Sequence, residues 1–269
     1  MDSITIVLVR PQGSANVGAV ARAMANTGFR RLVLVDPCDY LCDEALKMAL
    51  RARPLLERAR VAEDLREALA GAGFVVGTSC RLGQARGPAA FPRELAPRIL
   101  EFTGRAEVAI VFGPEDRGLT NEELSLCHEL LTVPTHPEFP SLNLAQAVML
   151  VCYEIYVCGH TQDAGTHSRV PILMGAEPSV PDRTLAASRD LEELYAQMES
   201  TLNRIRFLNP QNPGHMMTAL RRIFGRALLD EREVRILRGI FHQFDWYIAY
   251  GRDREKSSRI PPEPSNPPR

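Results

Sequence analysis

Three short stretches of the chain concentrate residue types that could do chemistry. The first, Gly113-Pro114-Glu115-Asp116-Arg117-Gly118-Leu119, places two acids and an arginine between glycines, directly after an apolar run. Glycine lets backbone approach a ligand or another chain, so this is more than a plain connector, although a turn held by local ion pairs would use the same residues. The second, Thr78 to Gly87, is basic: no acid lies between Glu67 and Glu94, while Arg81, Arg86 and Arg93 fall in that interval. Arginine offers a planar fork of donors to phosphate, which suits a polyanion, and a solvated surface loop is the plain alternative. The third, Pro140-Ser141-Leu142-Asn143, precedes a long apolar run. Ser and Asn there can accept the partnerless backbone N–H groups of a first helical turn, so capping alone would explain them.

The elements that would position these stretches read as an α/β chain. Apolar runs at Ile4–Val9, Leu32–Asp36, Gly73–Gly77, Val108–Phe112 and Leu130–Val133 have the composition of strands covered on both faces. Between the first two, Asn16 is expected to cap a helix carrying Val17, Val20, Ala21 and Met24 and ending near Gly28. That makes a βαβ unit of about 30 residues, hence a parallel pair with a right-handed crossover. Glu44–Ala59 is expected to be helical and to kink or break at Pro54, and Glu63–Ala70 and Asn121–Cys127 to be short helices. From Leu144, apolar residues recur at Ala147, Val148, Val151, Cys152 and Ile155, one buried face of a helix. In a parallel sheet, the loops 78–83, 113–119 and 134–143 all leave strand C-terminal ends and converge on one edge.

Composition excludes several classes. A net charge of −1 creates no global field toward nucleic acid or membrane, so any such binding needs a local patch. The six cysteines form no CxxC pair and no Cys/His cluster of zinc spacing, so no metal site is expected. The loop after the first strand has Gly13 and Gly18 but lacks G-x-G-x-x-G, which argues against a dinucleotide cofactor. With no basic-then-apolar leader and no apolar run of membrane length, the expected location is the cytoplasm, with no membrane partner.

NVGAVARAMANTGF (16–29), IVFGPEDRGLTNEEL (110–124) and PSLNLAQAVMLVCYEIY (140–156) resemble, in order and spacing, the three motifs of the SpoU-type branch of the SPOUT RNA methyltransferases. The Thr78-Ser79-Cys80-Arg81 loop also matches, with Cys80 where a small residue is commoner. The resemblance covers residue 4 to about 158 and continues into a helical C-terminal extension, where the chain is most similar to the bacterial TrmJ family. Members of that family 2′-O-methylate the ribose at position 32 of the tRNA anticodon loop. The resemblance implies a parallel sheet of five to six strands with a deep C-terminal trefoil knot, a feature that departs from the rule of unknotted connections. It also implies S-adenosyl-L-methionine as cofactor and a homodimer with its active site at the subunit interface. By the same resemblance, Thr78, Ser79, Cys80, Gly113, Val133, Ser141 and Leu142 would hold the methyl donor, while Asn16, Arg22, Glu115, Ser141 and Asn143 would be catalytic and substrate-positioning. Arg22 is proposed in the family as the base, yet a guanidinium is effectively always protonated, so a clamp on phosphate or on the developing oxyanion is the better physical expectation. Glu115 would orient Arg22 or Asn16. Arg10, Arg81, Arg86, Arg117, Arg221 and Arg222 are expected to contact RNA. A sister enzyme acting on rRNA or another tRNA position, and a knotted RNA-binding protein without activity, are the alternatives.

The expected organisation is a methyltransferase domain over 1–160, a linker over 161–184, a small all-α extension over 185–251 and a disordered tail over 252–269 with five prolines. In the extension, Leu191, Leu194, Tyr195, Met198, Leu202 and Ile205 mark one helix face, and Met216–Leu229 and Glu233–Tyr250 read as two more helices. Arg183 to Arg269 holds 15 Lys and Arg against 11 Asp and Glu, a local basic surplus suited to tRNA phosphates.

Overall fold

Ile4–Val9 forms β1, and every side chain on it except Thr5 is buried, as an apolar run inside a parallel sheet requires. The structure is a computed structural model that describes residues 1–80, 89–163, 184–208 and 213–251. After β1 come α1 (Ser14–Asn26), β2 (Arg31–Val35), α2 (Asp43–Ala49), α3 (Arg53–Glu57), β3 (Arg60–Ala62), α4 (Leu65–Leu69) and β4 (Ala72–Thr78). Then follow β5 (Ala89–Ala90), α5 (Pro92–Thr103), β6 (Glu107–Phe112), α6 (Asn121–Leu124), β7 (Glu129–Leu131) and α7 (Leu144–Asp163). The seven strands make one sheet in the order β3-β2-β1-β6-β4-β7-β5. Every pairing in it is parallel.

Alternate side chains along the strands face two cores. Ile6, Leu8, Leu34, Phe74 and Ile110 pack with α1, α5 and the Val148, Val151, Cys152 and Ile155 face of α7. Val7, Val9, Val33, Val75 and Val111 pack on the other side with Leu65, Leu69 and Leu124 from α4 and α6. Each fully buried Val or Ile on α7 contributes about 1.5–3 kcal/mol relative to exposure, enough to fix which face of that helix meets the sheet.

Several expectations are corrected. The sheet has seven strands: β3 carries only three residues at the edge, and β5 only two, too short to show a period. The expected helix does break, but not at Pro54. The break falls at Leu50, with φ +51°, and Pro54 sits in the first turn of α3, where its missing N–H costs nothing. Helix α5 starts at Pro92 and includes Pro97, prolines that hid its pattern.

The C-terminal extension forms α8 (Ser188–Arg204), α9 (Pro213–Ala227) and α10 (Glu231–Trp246), followed by a π turn over Tyr247–Gly251. Its own core joins Leu191, Leu194, Tyr195, Met198, Met217, Leu229 and Val234. It docks on α4 and β4: Leu185 enters the large core, Arg189 N donates to Ala70 O at 3.3 Å, and Arg66 pairs with Glu192. Most of the expected linker and all of the expected tail lie outside the described residues. Among the described residues, no helix is long and apolar enough to cross a membrane, and no cluster of His, Cys, Asp and Glu could hold a metal ion.

Candidate active site

Strand register brings the loops together. Gly77 is level with Val111 and Thr78 with Leu131, so β6, β4 and β7 end side by side. Thr78 Oγ1 donates to Val111 O at 2.9 Å and Ser79 N donates to Leu131 O at 2.9 Å, carrying the alignment one residue beyond the sheet. Segments 78–80, 113–120 and 132–143 therefore leave the same edge.

The 113–120 loop folds back on itself. A Cβ on Gly113 would lie 2.3 Å from Leu119 N and 2.4 Å from Gly118 C, so only glycine allows that approach. Gly118 turns the chain at φ +65°, its N–H donating to Pro114 O at 2.9 Å. Buried Leu119 anchors the return, and Thr120 caps α6 through a reciprocal pair with Glu123.

Glu115 is the centre of the site. Its carboxylate accepts from Gln12 N at 2.9 Å, Gly13 N at 3.2 Å and Asn16 Nδ2 at 2.8 Å. Burial alone would raise its pKa, but the donors from Asn16, Gln12 and Gly13 outweigh it and hold the carboxyl below the usual range. Asn16 is not the cap of α1, which begins at Ser14 after Gly13; lying inside the first turn, its amide reaches across to Glu115. Asn16 Oδ1 in turn accepts from Asn143 Nδ2 at 2.8 Å, and Asn143 Oδ1 accepts from Ala145 N at 2.9 Å. Asn143 thus caps α7 and joins the site at once.

The remaining residues divide. Ser141 and Cys80 are exposed, and Val133 and Leu142 are half-buried, on the same edge. Arg22 lies on the solvent side of α1, and the partner of Glu115 is Asn16. Arg117 is exposed, 3.9 Å from Asp116. Arg10 pairs with Glu123 at 2.6 Å. Arg221 is spent inside the extension, paired with Glu192 and lying 4.4 Å over the Tyr195 ring, whereas Arg222 is exposed. Arg81 and Arg86 lie outside the described residues. Sequence reasoning missed the backbone donors of Gln12 and Gly13 and the role of Glu123. The capping pattern Thr120-x-x-Glu123 was the only local signal, and it points to the helix rather than to Arg10.

Residues 3–153 match the SpoU rRNA Methylase family, and residues 189–257 match the C-terminal domain of the tRNA methyltransferase TrmJ. The chain is 41% identical over 241 residues to the tRNA (cytidine/uridine/adenosine-2′-O-)-methyltransferase TrmJ of Pseudomonas aeruginosa, covering 89% of this chain and 93% of that one. It is 39% identical over 240 residues to the tRNA (cytidine/uridine-2′-O-)-methyltransferase TrmJ of Photorhabdus laumondii, covering 89% and 95%. Among solved structures, TrmJ from Z. mobilis superposes with a TM-score of 0.74 at 32% identity, covering 90% of this chain and 98% of that one. With the family spanning more than half of the chain and its three motifs joined through Asn16, Glu115 and Asn143, the protein belongs to the SpoU methylase family.

Proposed function

We propose that the protein transfers a methyl group from S-adenosyl-L-methionine to the ribose 2′-OH of a tRNA, at nucleotide 32 of the anticodon loop. The observation that carries the reading is the hydrogen-bonded line Glu115–Asn16–Asn143, which ties all three motifs to one sheet edge in a chain that also bears a TrmJ C-terminal domain.

The residues present fit the cofactor. Three strand ends offer backbone groups at Thr78, Ser79, Cys80, Gly113, Ser141 and Leu142, and half-buried Val133 and Leu142 offer apolar surface for a purine ring. When bound, the cofactor supplies a methyl group already activated on a sulfonium. What remains for the protein is alignment of the hydroxyl and relief of its developing charge. In this reading Asn143 and Ser141 orient the ribose hydroxyl, and the bond from Asn143 to Asn16 supports it. Glu115, below the usual carboxylate range and already accepting from three donors, acts as a fixed anion that positions Asn16 and not as the base. Arg22, free of the Glu115 network, clamps the phosphate next to the target or the developing oxyanion.

The reading includes a homodimer, in which solvent-facing Arg22 of one subunit serves the site of the other. Exposed Leu150 and Tyr153 on α7 and Phe139, 78% exposed, support an apolar contact there. It also includes the trefoil knot, supported by the insertion of β7 between β4 and β5 after the chain has passed through β6. Residues 1–160 would form the catalytic domain, with Arg117 and, from the basic loop, Arg81 and Arg86 among its phosphate contacts, and 185–251 the tRNA-holding extension, with Arg222 among its own.

Incubation with S-adenosyl-L-methionine and unmodified tRNA transcripts, with mass spectrometric mapping of the product, tests the reading. A single 2′-O-methylated ribose at position 32 is expected. Methylation elsewhere, or on rRNA only, would move the protein to a sister activity, and none on either RNA would leave a binding protein.

A further inference from the structure

We propose that Arg10 is a positioning residue, clasping the far end of the Gly113–Thr120 loop through Glu123 so that the donor side of the site keeps its shape. The proposal rests on the methyl-donor reading of that loop and assigns Arg10 a role other than phosphate contact.

The β1–α1 segment grips the β6–α6 loop at two points. At the near end, Gln12 N, Gly13 N and Asn16 hold Glu115. At the far end, Arg10 Nη2 donates to Glu123 Oε1 at 2.6 Å, while Glu123 Oε2 accepts from Thr120 N at 2.8 Å. Both ends of the fold-back around Gly113 and Gly118 are therefore fixed by residues 10–16. The pair is largely withdrawn from water, with side chains 31% and 13% exposed, so its charges are screened less than those of a surface pair. Arg10 also holds a backbone that other residues avoid. Its φ is +46°, in the left-handed region, stabilised by its N–H donating to Val35 O at 2.7 Å. A non-glycine residue in that region is strained unless its surroundings fix it, and such strain collects where geometry serves function. A guanidinium already neutralised at 2.6 Å by a largely buried carboxylate is a poor phosphate anchor.

The test uses the full chain with Arg10→Gln, Glu123→Gln and the double variant, and Arg10→Lys as a charge-keeping control. Affinity for S-adenosylhomocysteine is read by calorimetry, and tRNA binding by its salt dependence. The expected result is a loss of donor affinity of about tenfold in either single variant, no further loss in the double, and partial recovery in Arg10→Lys, with the salt slope as in wild type. Wild-type donor affinity in folded Arg10→Gln would overturn the proposal. So would a Glu123→Gln variant that keeps donor affinity and binds tRNA more tightly, since that marks Arg10 as a phosphate contact released from its carboxylate. Failure of wild type itself to bind the donor would instead overturn the functional reading.

Discussion

Asn143 Nδ2 donates to Asn16 Oδ1 at 2.8 Å, joining residues 127 positions apart in the chain. One amide thus closes the line from Glu115 through the start of α1 to the start of α7. A site assembled in this way is sensitive to small displacements, because an ångström of misplacement costs about a hundredfold in rate.

Glu115→Gln should lower kcat by about a hundredfold while lowering stability by about 1–3 kcal/mol, since a Gln amide cannot accept from all three donors. In wild type the depressed carboxyl contributes stability that is complete above the ordinary carboxylate range and is lost only as pH falls through its lowered value. The acid limb of the rate profile should therefore not reflect Glu115. Single-turnover kinetics and melting curves against pH would check both statements.

Gly113→Ala should weaken S-adenosylhomocysteine at least about tenfold, because its Cβ would stand 2.3 Å from Leu119 N and force the loop open. Calorimetry with the folded variant measures this directly; an unchanged affinity would place the donor elsewhere.

Arg22→Lys should cut kcat by about 10²–10³ and leave donor affinity intact, as a point charge replaces a planar fork. Near-normal turnover in this variant would remove Arg22 from the mechanism.

Arg221 and Arg222 should separate despite being neighbours. Arg221→Ala loses the Glu192 pair and the Tyr195 contact and should cost about 1–3 kcal/mol in thermal stability. Arg222→Ala, at an exposed position, should reduce the log–log salt slope of tRNA binding by about one.

His128 packs against Phe74 with its Nδ1 accepting from Val75 N at 3.0 Å, and burial pushes its pKa down to about 4. Because the folded value lies below the ordinary 6.5, the unfolded chain takes up the proton first. Stability is complete above about pH 6.5 and falls as pH drops toward 4, by up to about 3 kcal/mol, an upper bound because the residue as a whole is only half-buried. His128→Asn keeps an acceptor and should flatten that part of a pH-melting curve.

The long apolar strands β1, β2, β4 and β6, the helix from Leu144 and the convergence of loops after β4, β6 and β7 were legible in the sequence, because burial on both faces leaves uninterrupted apolar runs and parallel strands end on one side. The two-residue β5 and three-residue β3 were not, since their pairing comes from neighbouring strands and not from any period of their own. Asn16 shows the limit most clearly. Its type and place read as a helix cap, and only the position of Glu115 on an adjacent strand end turns its amide toward another motif.

By itself, then, the sequence determined the family, the sheet edge and the residue types gathered there, because these follow from local patterning and ordered motifs. Only the tertiary structure decided which of them meet. It set Asn16 rather than Arg22 against Glu115, Arg10 against Glu123 and Arg221 against Glu192, because a charged side chain takes its partner from whatever the packing of distant strands and helices brings within reach.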